Sequence, residues 1–385
     1  MKPKILIDAT TIVEKKDGLS QYIISILDHL PATAFDEFHF MVLVNKGLKR
    51  KEFWDVVHNK KFEVVEANIA PIGPKRDRDM LLFFNRFKNR FDLFHSTSNQ
   101  YPLFLKNGIA TVHDITFKKF LDSKWWTFNM ASRYLNLVIK RSLKNAAAVI
   151  AVSNHTKADL VKHYHVDKTA QQKIQVIYEG WEHLINNNEE QENEPLPRHN
   201  NYLFYVGTTR LHKNMKNLLK AFQIACTNLP ANIKLVISGN QTYLDEEDKK
   251  TIALINISGE RIIFTGFVSK TVLEHLFRNA DAFIFPSLSE GFGIPVLESF
   301  YFNKPLLCSN ATSLPEIAGD AALYFDPEKP EDIAGAICSF FNDPDIGAEL
   351  VAKGAERLKF FSWKKAATET VALYSHLLNP MPGTD

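Results

Sequence analysis

Short apolar runs rich in β-branched residues alternate with helix-length amphipathic segments along the whole chain. In the first half the runs are KILIDAT, FHFMVLVN, FEVVEAN, DLFHS, GIATVHD, AAVIAVS and IQVIYEG. Their hydrophobicity is nearly continuous, as required of strands covered on both faces of a parallel sheet. Between them, LSQYIISILDHL and WTFNMASRYLNLVIKRSLKN space their apolar residues at helical intervals. The stretch 182–201, EHLINNNEEQENEPLPRHNN, is polar and acidic and holds Pro195 and Pro197, so it reads as a linker or exposed loop. Alternation resumes with NYLFYVG, IKLVISG, RIIFTGF, AFIFPS, PLLCSN and AALYFD. Helices are predicted from about Asn214, from about Leu244, over TVLEHLFRNA and directly after AFIFPS. Two successive strand–helix series predict an α/β protein of two Rossmann-like, doubly wound domains. The expected boundaries are 1–180, a linker at 181–200, and 201–361, with a last helix at about 362–379 packing back on the first domain. Ligands of such sheets sit beyond the carboxyl ends of the strands, so a cleft between the domains is the expected site.

A chain of 385 residues, 45% hydrophobic and 23% charged, holds enough apolar material for two cores. Cys226, Cys308 and Cys338 are odd in number, form no CxxC pair and lie in apolar surroundings. They read as reduced core residues of a cytoplasmic protein, with neither a disulfide framework nor a zinc site. The opening MKPKILIDAT runs straight into a strand, with an apolar part too short for a signal peptide. No uncharged run approaches the ~18–20 residues that cross a bilayer. The net charge of +2 conceals an asymmetry: residues 1–180 carry 28 Lys/Arg against 18 Asp/Glu, while residues 200–385 carry 17 against 21. A basic first half suits an anionic or membrane-bound partner.

Candidate chemistry concentrates at residues 287–300, SLSEGFGIPVLESF. AFIFPSL reads as a buried strand and IPVLESFYFN as a helix, which makes SEGFG a strand-to-helix turn. Gly291 and Gly293 let the backbone approach a ligand closely, and Pro295 suits a first helical turn. Unpaired amides at a helix start favour an anion. Glu290 and Glu298 are poor neighbours for phosphate but good acceptors for sugar hydroxyls. Two carboxylates flanking an anion-binding turn suit a nucleotide sugar, with ribose on one side of a diphosphate and hexose on the other. Elsewhere, YVGTTRLHK sets Lys213 after a strand and the Gly207 turn, a placement that suits phosphate.

Together these segments resemble the retaining GT-B glycosyltransferases of family 4, also called glycosyl transferases group 1. EGFGIPVLE is similar to that family's Glu-x7-Glu signature. YVGTTRLHKNMKNLLKAF, GFVSKTVLEHLFRNADAFIFPSLSEGFG and TSLPEIAGDAALYFDP resemble its second domain, and GLSQYIISIL, TVHDITF and AVSNHTKADL its first. The resemblance covers most of residues 5–375. It implies that Glu298 holds the ribose hydroxyls and Glu290 the donor hexose. It also implies that the amides of Gly291, Phe292 and Gly293 approach sugar and phosphate, and that Lys213, after Gly207, binds phosphate. His113 in VHD matches the donor-sugar histidine, and Gly18 the glycine-rich first loop. The family often has arginine just before the lysine; here His212 stands there, and Arg210 three residues before the lysine is the alternative. VIYEGWE departs from a common Asn-Gly pattern. The resemblance implies retention of configuration, no metal, no cofactor beyond the nucleotide-sugar donor, and a glycan or lipid-linked acceptor. It leans towards the mannosyl, rhamnosyl and fucosyl branches, with GDP- or dTDP-linked donors ahead of UDP-linked ones and GDP favoured.

The basic half is expected to hold the acceptor. KRDRDMLLFFNRFKNR, residues 75–90, interleaves Lys75, Arg76, Arg78, Arg86, Lys88 and Arg90 with Leu81, Leu82, Phe83, Phe84 and Phe87. FKKFLDSKWWTFNM adds Lys118, Lys119, Lys124, Trp125 and Trp126. Such mixtures suit peripheral contact with an anionic membrane surface, against the alternative that the apolar residues face the core. Asp77 and Asp79 look like a metal-binding Asp-x-Asp, but they follow no strand, so no metal site is expected there. The competing readings are a catalytically silent GT-B-like scaffold, a nucleic-acid binder and a sugar-nucleotide epimerase. No nucleic-acid motif accompanies the positive charge.

Overall fold

The computed structural model describes residues 1–14, 17–87, 89–119, 126–185 and 201–378. The chain divides into two compact units, Met1–His183 with Ser362–Asp385, and Leu184–Phe361. Lys88, Lys124, Trp125 and most of the expected linker lie outside the described residues.

Every run read as a strand forms one. In the first unit these are β1 (Lys4–Asp8), β2 (His39–Asn45), β3 (Glu63–Ala67), β4 (Leu93–Ser96), β5 (Ile109–Val112), β6 (Ala148–Ala151) and β7 (Ile174–Val176). They form a parallel sheet in the order β3-β2-β1-β4-β5-β6-β7. Leu6 pairs with Met41 on one side and Phe94 on the other. The order reverses between β1 and β4, the switch point beyond which such sheets bind ligands. Both faces are covered. Met80 and Phe83 of the helix Pro74–Phe87 join Leu6, Met41, Leu43 and Phe94 in one cluster. Val138 and Ile139 of the helix Trp126–Asn145 pack with Val112, Val149 and Ala151 in another. The helix α1 (Gly18–His29) packs against α2 (Trp363–Leu378), which returns to this unit after the second one is complete. Trp363 and Tyr374 of α2 are fully buried, and Tyr374 Oη stands 2.7 Å from His95 Nδ1.

The second unit holds β8 (Tyr202–Val206), β9 (Lys234–Ser238), β10 (Ile262–Gly266), β11 (Ala282–Phe285), β12 (Leu306–Ser309) and β13 (Leu323–Phe325). Its parallel sheet runs β10-β9-β8-β11-β12-β13, with the switch point between β8 and β11. Leu218, Leu219 and Phe222, on one face of the helix Met215–Ala225, pack on Leu203, Leu235 and Ile237 with Ile333 and Ile337. Removal of such apolar surface from water is the main term holding each layer in place.

One expectation from the charge pattern is corrected here. Arg76 is no surface cation: it is 1% exposed, with Nη2 2.6 Å from Asp8 Oδ2. Nη1 donates to Thr10 Oγ1 at 3.0 Å and to the Ala70 carbonyl at 3.2 Å. The aromatic part of the same stretch also turns inward. Phe83 is buried, and Phe84 and Phe87 pack against the same cluster. Leu81 and Leu82 remain exposed, beside Lys75, Arg78 and Arg86. Asp77 accepts from the Leu103 amide and the Tyr134 hydroxyl, and Asp79 from the Ala70 amide, so both carboxylates serve to hold the helix. Among the described residues no helix is long and apolar enough to cross a membrane.

Candidate active site

The site of the second unit is built at its switch point from two loops. β8 leads into Gly207, where φ is +154° and a Cβ would lie 2.8 Å from Tyr205 Oη. Gly239, after β9, has φ +135°, and a Cβ there would lie 1.9 Å from the Gly207 carbonyl oxygen. Only glycine allows two strand ends to meet so closely. The chain then makes a tight 3₁₀ turn over Leu211–Lys213 and passes through Asn214 in the left-handed region, with φ 62°. Asn214 Nδ2 donates to the carbonyls of Pro286 and Pro327 at 3.0 and 2.7 Å, fixing the turn to the end of β11. The Leu288 amide donates to the His212 carbonyl at 2.8 Å.

These bonds bring the two sequence motifs into one place. Lys213 Nζ stands 2.7 Å from Glu290 Oε1, an ion pair whose side chains are 20% and 13% exposed. Nζ also lies 5.4 Å from the centroid of the Phe285 ring. The Glu290 amide donates to Thr312 Oγ1 at 3.0 Å. The hydroxyl of Ser313 lies 3.1 Å from the Glu290 carbonyl and 2.9 Å from that of Phe292. The loop is therefore held through its backbone, which leaves side-chain chemistry to Glu290. Gly293, at φ +106°, precedes the helix α3 (Ile294–Tyr301), and Pro295 lies in its first turn. A Cβ on Gly293 would lie 2.8 Å from Leu314 Cδ2. Gly291 is half-buried in the turn. Phe292 is 3% exposed and packs edge-on against Phe361, so its side chain belongs to the core. Glu298 is half-buried in the second turn of α3. Arg210 is exposed at the start of the Lys213 turn.

In the first unit Gly18 is the first residue of α1, capped by Asp17 Oδ1, which accepts from the Ser20 amide at 2.7 Å. A Cβ at Gly18 would meet no atom within 4 Å. Tyr22 of α1 sets its ring perpendicular to His113, with centroids 4.6 Å apart. His113 follows β5 and is held on all sides. Its amide donates to Asn99 Oδ1 at 2.9 Å, and its carbonyl accepts from Thr156 Oγ1 at 3.2 Å. Its Nε2 lies 2.9 Å from the Thr97 carbonyl and its Nδ1 3.5 Å from Glu179 Oε1. Burial disfavours the charged ring. The hydrogen bond and charge of Glu179, with the Thr97 carbonyl and Asp114, outweigh it and raise the His113 pKa above the ordinary value. Its neighbour His95 lies between Tyr374 Oη and Thr111 Oγ1, and burial pushes it down to about 3, so it is neutral. Glu179 was not singled out from the sequence. Its only signal was that VIYEGWE departs from the pattern around it.

Two parallel Rossmann-like sheets, each with its polar residues gathered beyond the carboxyl ends of its strands, define the GT-B class of glycosyltransferase architecture. The described structure of sucrose-phosphate synthase from Thermosynechococcus elongatus matches the fold with a TM-score of 0.72 at 18% identity, covering 98% of this chain and 99% of that one. Residues 17–182 match the family model Glycosyltransferase Family 4, and residues 186–357 match Glycosyl transferases group 1. The chain belongs to this glycosyltransferase family and is an enzyme of that kind. It is 28% identical over 294 residues to O-antigen chain mannosyltransferase B of Escherichia coli, covering 74% of each chain. It is likewise 28% identical over 263 residues to O-antigen chain mannosyltransferase RfbU of Salmonella typhimurium, covering 68% of this chain and 67% of the relative.

Proposed function

We propose that this chain is a retaining, metal-independent mannosyltransferase, taking its sugar from a GDP-linked donor and extending an O-antigen-type glycan. The observation that carries the reading is the Lys213–Glu290 pair at the switch point of the second sheet. A cation and the amide-rich start of α3 suit a diphosphate, and the two carboxylates Glu290 and Glu298 suit hydroxyls on either side of it. The printed activities of the two relatives support mannose and O-antigen. In this reading Glu298 holds ribose, Glu290 exchanges its partner for the donor hexose, and Lys213 takes the phosphate. Gly207 and Gly293 let backbone approach, and Arg210 assists the diphosphate. His113 and Gly18 serve the donor from the first unit. The bond from the anomeric carbon to the diphosphate breaks, the acceptor oxygen bonds that carbon on the same face, and the acceptor proton passes to the departing phosphate.

Ligand that binds only the folded state raises the melting midpoint. With GDP at about 100 times its Kd, the stabilisation is about 2.7 kcal/mol, a rise of several degrees for units of this size. The rise is expected for GDP, to be smaller for UDP and dTDP, to be indifferent to magnesium, and to vanish in Glu298→Ala. A rise that requires magnesium would overturn metal independence. A rise with UDP alone would overturn the GDP donor, and no rise with any of the three would overturn the donor site itself.

The acceptor side of the proposal adds contact with an anionic membrane surface. Lys75, Arg78, Leu82 and Arg86 recur at spacings of three and four on the exposed side of the helix Pro74–Phe87, which places two kinds of interfacial group on one face. Sedimentation with vesicles containing anionic lipid is expected to pull down the protein. Binding should drop several-fold in Arg78→Gln/Leu82→Ser/Arg86→Gln. Wild-type protein left in the supernatant would end this part of the proposal.

A further inference from the structure

His113 faces two groups that can only accept a hydrogen bond. The Thr97 carbonyl lies at Nε2 and the Glu179 carboxylate at Nδ1. A neutral imidazole carries one N–H, and its other nitrogen is an acceptor. Whichever tautomer it chose, one lone pair would be aimed at another. Two acceptors fit the imidazolium alone. The remaining neighbours do not supply a competing positive charge. Tyr22 presents its ring, with its hydroxyl pushed far above the ordinary phenol value by burial. His95 is kept neutral, and Asp114, next in the chain, adds negative charge. Glu179 is itself sequestered, its side chain 5% exposed. A carboxylate so placed is costly unless paired with a cation.

We infer that Glu179 is a positioning residue that holds His113 as an imidazolium with both N–H groups committed to the protein, so that His113 serves glycosyl transfer as a fixed positive charge and not as a proton carrier. This rests on the reading of His113 as a donor-side residue. The proton balance of the reaction is untouched, since the acceptor proton goes to the departing phosphate and His113 neither gives nor takes one. The charge is present below the folded-state pKa of His113 and is lost as pH rises through it. The alkaline limb of activity therefore follows this group. Removing the Glu179 charge lowers the pKa and moves that limb towards acid.

The test is a titration of the full chain, ¹⁵N-labelled at histidine, followed by long-range proton–nitrogen NMR without any donor, with His113→Asn used for assignment. Wild-type His113 is expected to show two protonated nitrogens below its midpoint and to titrate above the ordinary histidine value. In Glu179→Gln its proton affinity should fall at least tenfold, with Glu179→Asp in between. A neutral His113 in the wild type, or an unchanged midpoint in Glu179→Gln, would overturn the inference, and the wild-type titration decides it even if a variant fails to fold. Activity against pH separates the two claims. A limb that moves with the NMR midpoint upholds the role in transfer. A shifted midpoint with an unmoved limb would overturn that role and, with it, the donor-side reading of His113.

Discussion

Replacing Lys213 with alanine is expected to lower kcat by about 10²- to 10³-fold, the loss typical when one preorganised group facing developing charge is removed. The reasoning starts from position. Lys213 lies on a turn whose geometry is fixed by Asn214 and by the Leu288–His212 bond, so its ammonium is aimed before any ligand arrives. Its partner Glu290 stands 2.7 Å away, close enough to hold the lysine extended and exposed enough to be exchanged for a phosphate. Were the pair merely a loop fastening, the variant would lose stability and keep its turnover. The opposite is expected, because Glu290 is also held through its backbone amide and carbonyl. Turnover and melting midpoint measured on the same preparation check it. A kcat within threefold of wild type would remove Lys213 from the reaction.

The second large effect concerns stability. Arg76→Met is expected to destabilise the first unit by about 3–5 kcal/mol, the usual consequence of removing one partner of a buried ion pair. That corresponds to a fall in melting midpoint of roughly 10 °C for a unit of this size. The loss comes from what remains. Asp8 would keep only the amide and hydroxyl of Thr10 on Oδ1, with Oδ2 deprived of the guanidinium at 2.6 Å. Buried negative charge without a partner is the costly state. The double variant Asp8→Asn/Arg76→Met should accordingly recover part of the loss, because the residual side chain is then neutral. Calorimetry on the three proteins decides. A fall of less than about 2 °C in the single variant, on the same size scaling, would mean that the pair contributes little.

The strands were legible because a strand buried on both faces leaves an almost uninterrupted apolar word in the sequence, and FHFMVLVN or AFIFPS has no other plausible home. The Gly207 and Gly293 turns were legible for a related reason: a residue type with one conformational talent stands where the chain needs it. What stayed hidden were the pairs. Arg76 meets Asp8 across a sequence separation of 68, and Lys213 meets Glu290 across one of 77; no local pattern records which charge a fold will join to which. Counting Arg76 towards a basic surface failed for that reason, since composition treats every arginine as exposed. The aromatic residues of 83–87 left both orientations open for the same reason. A helix with its leucines outside and its phenylalanines inside has the same composition as one turned around. Glu179 was visible only as an irregularity, and its meaning appeared once β5 and β7 had brought it beside His113.

The return of α2 to the first unit has a consequence for how the chain is made. Residues 1–183 emerge from the ribosome before the second unit, yet the Trp363 and Tyr374 side chains that fill the interior beside α1 and β4 are synthesised after it. The nascent first unit must wait, with His95 and the face of α1 uncovered, while the contiguous second unit has its whole sequence in hand and is free to fold. Domains generally fold as units in order of synthesis. Here the order is inverted: the unit whose translation starts before the other has its last helix made after it.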